Sequence, residues 1–237
     1  MAISFYHKLI KRSIVARHVA EIGVYHPKTS NVYEFILQGI KTTLVEADPD
    51  IAKLLKNEFE NHPNVSIYNV AIYDKKTTIK FVRKGSSSFV SDLQNVPAVI
   101  NDGVSMEDVE YIEVPAITFD EIDPGDIDIL SVDIEGAEWF VLKHMISRPK
   151  VISIETHGGL YVNPFLPSIQ KWMRENNYSV WYKTNSDTIF IKNSIIDLNI
   201  LDKMRLFFQN RAIALRRVRK QVKKQLRAPI FRDKKRS

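Results

Sequence analysis

Ile129-Leu-Ser-Val-Asp-Ile-Glu-Gly-Ala-Glu-Trp139 is the stretch whose reading decides the fold. From Ile127 to Ile134 the chain is mostly apolar and rich in branched residues, as a strand buried on both faces should be. It ends in acids and a glycine, and Ala137 to Met145 then carries helical spacing. Ligands of an open α/β sheet bind outside the carboxyl ends of the strands, so Asp133 and Glu135 mark a site. Gly136 lets backbone or ligand come close, and Glu138 falls in the first helical turn, where an acid suits the helix dipole. Simple capping is the competing reading, but capping uses one acid and here three cluster with a glycine.

Around this stretch, strands alternate with helices. Towards the amino end, the pattern predicts a helix over Phe5 to Ala16, a strand over His18 to Ile22 closed by Gly23, and a helix capped by Ser30 and Asn31 that runs to Gln38. Next come a strand over Thr42 to Val45, a helix from Pro49 to Phe59 capped by Asp48, and strands over Val65 to Ile72 and Thr77 to Val82. Periodicity is lost from Lys84 to Asp108, as in an active-site loop, a lid or plain disorder. It resumes with a strand over Val109 to Pro115 and a short helix over Thr118 to Ile122. Beyond the opening stretch, Val151 to Glu155 is a further strand running into Thr156-His157-Gly158-Gly159. Leu166 to Asn176 is helical, and Tyr178 to Tyr182 with Thr188 to Ile191 form a closing hairpin. The order implies an α/β fold, a mostly parallel sheet covered on both faces with an antiparallel edge.

At 237 residues, 44% of them hydrophobic, the chain can bury one large α/β core with an appendage. Cysteine is absent, which excludes disulfides and thiolate metal sites and suits a reducing compartment. No run approaches the roughly 18 apolar residues of a membrane span, and the first fifteen residues have no signal-peptide core. A cytoplasmic location is therefore expected, with contact to a membrane surface left open by the tail. The net charge of +6 hides an asymmetry: from Leu201 on, fourteen Lys or Arg meet two Asp (+12), which leaves twenty basic and twenty-six acidic residues (−6) in the rest. Three parts follow: an amino-terminal helix (1–16), a main domain (17–196), and a basic amphipathic helix with its tail (197–237). In the last part Met204, Phe207, Phe208, Leu215, Val218, Val222 and Leu226 form one apolar helical face among arginines and lysines, with Pro229 ending the helix and Phe231 to Ser237 disordered. Such a segment binds an anionic membrane surface, a nucleic acid or another chain, or packs on the acidic domain.

The first crevice suits a ligand without a pyrophosphate. A dinucleotide needs three spaced glycines and only Gly23 is present, with Pro27 and Lys28 where others would stand. S-adenosylmethionine asks less of the loop. Glu46, 23 residues beyond Gly23, is placed for ribose hydroxyls, and Asn69 with the backbone at Ala71 for the adenine edge. Glu21, Gly23, Glu46, Asn69, Ala71 and Asp133 then stand at four strand ends.

These residues resemble the FkbM-type class I methyltransferases. The matching segments are Glu21-Ile-Gly23 with Ser30-Asn31, Val45-Glu-Ala-Asp-Pro49, Asn69-Val-Ala71 with Asp74, Ser86 to Ser88, Pro115-x-x-Thr118-x-Asp120, and Asp133-x-Glu135-Gly136-x-Glu138. The resemblance spans roughly Val19 to Lys192. It implies a Rossmann-like seven-stranded sheet that binds S-adenosylmethionine, with Ser30 among the cofactor residues, and passes methyl to an oxygen, often of a sugar or natural product. The opening Glu21-Ile-Gly-Val-Tyr-His-Pro27 lacks the family's second glycine, and the residues from Asp202 on have no counterpart.

The function expected is O-methylation of a small hydroxylated acceptor, a sugar or glycan. Asp133 would touch the cofactor's amino-acid end or the acceptor, and His157 would be the base, an imidazole titrating near neutrality. Asp133, Glu135, Glu155 and His157 can alternatively gather a divalent metal. Two other classes stay open: a nonenzymatic nucleic-acid or membrane adaptor on this fold, and an RNA 2′-O-methyltransferase. The latter wants a lysine near the acceptor, but Lys143 sits in a helix and Lys183 in a late strand, so no clear candidate emerges.

Overall fold

The structure, a computed structural model, describes residues 4–85, 88–93, 96–102 and 109–227. The first half of the chain runs α1 (Phe5–Ile10), β1 (His18–Ile22), a 3-10 turn (Pro27–Thr29), α2 (Tyr33–Leu37), β2 (Lys41–Val45), α3 (Pro49–Glu58), β3 (Val65–Tyr68), β4 (Ala71–Ile72), β5 (Thr77–Arg83), β6 (Phe89–Val90) and α4 (Pro97–Asp102). The second half follows with β7 (Glu110–Ile117), a 3-10 turn (Phe119–Glu121), β8 (Ile129–Val132), α5 (Glu138–Lys143), β9 (Val151–Glu155), α6 (Leu166–Glu175), β10 (Tyr178–Lys183), β11 (Asp187–Lys192) and α7 (Ile200–Arg227).

Seven strands form the main sheet in the order β3-β2-β1-β8-β9-β11-β10. All run parallel except β11, which is antiparallel to both its neighbours. This is the expected sheet with its antiparallel edge hairpin. The strands alternate between two apolar layers because successive side chains point to opposite faces. Val19, Leu44, Ile129 and Val151 pack on one side with Leu9, Phe35, Ile36 and Leu55 from α1 to α3. Ala20, Ile22, Val45, Leu130, Val132 and Ile152 pack on the other with Val141, Leu142 and Ile169 from α5 and α6. Both faces are covered, so the central strands carry no polar alternation.

The chain leaves β1 towards one edge through β2 and β3, then returns to lay β8 on the other flank of β1. Where strand order reverses in this way, a crevice opens above the carboxyl ends. Position, more than composition, selects the β1 and β8 ends as the site.

Several boundaries differ from expectation. The first helix stops at Ile10, because Ser13 takes a left-handed conformation (φ 55°) that turns the chain before Ala16. Ser30 does not cap the second helix, which begins at Tyr33: its hydroxyl donates to Glu21 and accepts from the Val32 amide (3.2 Å), short of the first helical turn. Val65 to Ile72 is two strands, because the Asn69 amide donates to the carbonyls of Glu46 and Ala47 (2.9 and 3.1 Å) and so breaks the strand at the main sheet's edge. The continuation enters a second, four-stranded sheet, β4-β7-β5-β6. Part of the stretch read as a loop supplies β6, paired with β5 through Phe81 and Val90, and α4. Ser86 and Ser87, the end of that loop (103–108), Pro229 and the tail from Phe231 lie outside the described residues.

The last helix lies along the hairpin edge. Asp202, Leu206, Gln209, Ile213 and Arg217 recur every three or four residues and are its more covered positions. Gln209 accepts a hydrogen bond from the Lys183 amide (2.9 Å), Arg217 donates to the Tyr161 carbonyl (3.3 Å), and Asp202 pairs with Arg12. Met204, Phe208, Leu215, Val218 and Val222 point the opposite way and are all exposed. Its apolar stripe faces outward.

Candidate active site

A cleft of about 980 Å³, its open mouth included, lies over the ends of β1, β2 and β8. Seven of the residues singled out from the sequence line it: Glu21, Gly23, Ser30, Glu46, Ala71, Asp133 and Glu135. Asn69, Glu155 and His157 do not.

Gly23 sets the geometry. At φ +87° it turns the chain out of β1, and its amide donates to the Val45 carbonyl (2.9 Å). A Cβ there would stand 1.9 Å from the Asp133 carbonyl oxygen. Only glycine lets β1 and β8 end this close together.

Glu21 and Glu46 are buried, and each shapes a loop. Glu21 accepts from the Ser30 hydroxyl and from the Asn31 amide (3.0 Å), while the Asn31 side chain donates to Ser131 Oγ (3.0 Å). Glu46 accepts from the Val24 amide through Oε2 (3.0 Å) and from the Asp48 amide through Oε1 (2.7 Å). Each Glu46 oxygen keeps a second lone pair, which suits the paired hydroxyls of a ribose. Burial pushes both carboxyls up to about 7, against the pull of these donors. Asn69 spends its amide nitrogen on the carbonyls of Glu46 and Ala47 and does not line the cleft, whereas Val70 and Ala71 beyond it do.

Beside the cleft, acids gather. Glu138 is fully buried. Its Oε1 accepts from the amides of Ile134 (3.1 Å) and Gly136 (3.0 Å), and its Oε2 from the side chain of Asn163. These bonds clamp a loop in which Glu135 (φ 54°) and Gly136 (φ 105°) are both left-handed. Asp133, Glu138 and Glu155 each bring an oxygen within 4.8 Å of the others. Burial first, then the charges of Asp133 and Glu138, pushes the Glu155 carboxyl up to about 11. Asp133 is raised too, by surrounding protein and then by Asp187, Glu138 and Glu21. Asp133 is an exposed residue lining the cleft, so burial weighs on it less than on Glu155.

His157 is corrected as the base and as a metal ligand. It lines a separate cavity with Lys183 and Arg217, beneath the last helix. Its Nδ1 bonds the Thr156 hydroxyl (2.9 Å), which itself bonds Thr188, and its Nε2 donates to the Thr184 carbonyl (3.3 Å). Burial and the nearby Lys183 press it down to about 4. It is neutral at physiological pH, with both nitrogens engaged. Its position after a strand suggested the site, but the returning hairpin covers it.

Sequence reasoning missed Glu138 as a site residue, although the acid-rich motif contains it. It also missed the apolar walls, Ile51 from α3 and Phe81 and Val90 from the second sheet. Ile51, one turn into the helix after Glu46, was findable from spacing. Phe81 and Val90 carry no local signal, because long-range strand pairing brings them in.

The methyltransferase FkbM domain model matches residues 18–180. No curated protein matches the chain. Among solved structures, the methyltransferase domain of bacterial CtHen1-CN aligns at 9% identity, covering 78% of this chain and 93% of that one, with a TM-score of 0.44. The Pyrococcus horikoshii protein PH1948 aligns at 13% identity over 78% of each chain (TM-score 0.40). TrmK of M. capricolum, solved with S-adenosylhomocysteine, aligns at 12% identity over 81% of this chain and 68% of its own (TM-score 0.36).

Proposed function

Because the chain belongs to the FkbM methyltransferase family and its cofactor is S-adenosylmethionine, we propose that it methylates a hydroxyl oxygen of a small, uncharged, hydroxyl-rich acceptor of the sugar or glycan kind. The carrying observation is the charge of the cleft. Glu21, Glu46, Asp48, Asp133 and Glu135 line it, and among the described residues no lysine or arginine does. That lining suits a sulfonium cation and neutral hydroxyls and opposes a phosphate backbone, which favours a sugar over RNA.

Glu46 takes the ribose hydroxyls and the backbone at Val70 and Ala71 meets the adenine, with Ile51 and Phe81 as apolar walls. Ser30 and Asn31, fixed by Glu21, shape the pocket for the amino-acid end. Asp133 is the most open acid beside the methyl's path and orients the acceptor hydroxyl. In the transfer the acceptor oxygen bonds the methyl carbon as the sulfur–carbon bond breaks. The electron pair stays on sulfur, and the hydroxyl proton passes to Asp133 and on to water. Positioning supplies most of the acceleration and proton removal roughly 10²–10⁴-fold more.

Calorimetry tests the cofactor half. Glu46→Ala should weaken S-adenosylhomocysteine at least about 30-fold, as expected for losing hydrogen bonds to a charged group at about 1.5–3 kcal/mol each. Wild-type affinity should climb as pH rises through about 7, where Glu46 ionises, and Glu46→Gln should flatten that climb. The stability of the free protein runs the other way. A carboxyl raised from 4.5 to about 7 on folding favours the fold below 4.5 and loses that contribution as pH rises through 7. A labelled-methyl screen of sugars, lipids and RNAs tests the acceptor half, and product on RNA alone would overturn the assignment.

A further inference from the structure

We propose that Asp133, Glu138 and Glu155 form a divalent-cation site beside the cleft, with Asp133 the ligand that lines it. Two observations carry it. First, the three carboxylates converge to within 4.8 Å. Oxygen ligands stand about 2.1–2.6 Å from Mg²⁺, Mn²⁺ or Ca²⁺, so opposite ligands lie about 4.2–5.2 Å apart, and the three fit around one ion. Second, Glu155 is 8% exposed, and its Oε2, wholly buried, has no hydrogen-bond partner. Beside it, Glu138 already takes three donors, and Asn163 holds its Oε2 as an outer partner holds a metal ligand. A buried acid facing two others without a donor needs a proton or a cation.

An all-oxygen set selects a hard ion, and three protein ligands leave positions open for water or acceptor oxygens. In this arrangement one Asp133 oxygen holds the ion and the other receives the hydroxyl proton. Naming the acceptor as the ion's further ligand rests on the O-methyltransferase reading; the ion site itself does not. Paramagnetic-resonance titration of Mn²⁺ into the chelator-washed full chain should show one saturable site. Glu155→Gln should weaken it at least about tenfold, as losing a ligand does. Glu175→Gln, on an exposed helix end, should not. Calorimetry with S-adenosylhomocysteine on the same samples verifies the fold and tests the methyltransferase reading separately. Absence of saturable Mn²⁺ binding, or equal binding by folded Glu155→Gln, overturns the ion site and assigns the buried proton instead.

A separate observation carries a second inference: α7 docks on an anionic bilayer. Phe207 and Phe208 are 53% and 61% exposed, and the outward stripe continues through Leu215, Val218 and Val222. Arg205, Arg211, Arg219 and Lys223, all exposed, accompany it, whereas Lys220 lies on the covered side against Gly159. An apolar stripe edged by cations matches an interface of acyl chains beneath anionic headgroups. No helix among the described residues is long and apolar enough to cross a membrane, so the contact is peripheral. The full chain should float with phosphatidylcholine vesicles containing phosphatidylglycerol and release in high salt. The Phe207→Ser, Phe208→Ser double variant should bind at least about tenfold more weakly with unchanged S-adenosylhomocysteine affinity. Equal binding to pure phosphatidylcholine, no binding, or self-association at sedimentation equilibrium in place of flotation overturns the proposal.

Discussion

Gly23→Ala is expected to cost roughly 3–5 kcal/mol of stability and to abolish cofactor binding at ordinary concentrations. Two penalties add. The residue sits at φ +87°, which strains any side chain, and a Cβ would meet a main-chain oxygen 1.9 Å away, which no rotamer change relieves. Parting the two strand ends would break the amide bond to Val45 and displace the Asp133 backbone. At about 2–4 °C per kcal/mol, the melting temperature should fall by roughly 10 °C or more. Gly39→Ala isolates one penalty: its φ is +71°, but a Cβ there comes no nearer than 3.9 Å to anything. It should lose only about 1–2 kcal/mol. Comparable melting of the two variants would mean that backbone strain alone makes glycine necessary at position 23.

Glu138→Ala should be nearly as damaging, by roughly 3–5 kcal/mol. It strands the Ile134 and Gly136 amides and the Asn163 side chain, at about 1–3 kcal/mol each. Relief of repulsion with Glu155 and Asp133 returns part of that. Glu138→Gln keeps an oxygen for the two amides but turns an amino group towards Asn163, so a loss of about 1–2 kcal/mol is expected. Urea unfolding checks both. An alanine variant as stable as the glutamine one would show that the loop holds its left-handed turn without the clamp.

These predictions rest on features of unequal visibility in the sequence. Gly23, Glu46 and Asp133 could be placed together because each directly follows an apolar strand, and parallel topology carries strand ends to one rim. Asn69 was placed there too, but its amide is consumed in ending the strand before it can meet a ligand. His157 follows a strand as regularly as Asp133 does, yet the carbonyl that holds it comes from the hairpin 27 residues later. No local pattern distinguishes the two. The second sheet was hidden for a similar reason. Thr77 to Val82 reads as a strand anywhere, and only its pairing with β7 and β6 turns Phe81 towards the cleft. For α7 the periodicity was legible but its polarity was not, since a stripe of phenylalanines is ordinarily buried.

The contact of Gly23 with the Asp133 carbonyl reaches beyond packing. No side chain lies between the two loops as a cushion, so a ligand that shifts one loop pushes the other directly. A ligand filling the cleft is therefore expected to alter the spacing of the acids next door. The enzyme should grip its acceptor differently before and after it is charged with methyl donor, with bare backbone as the linkage.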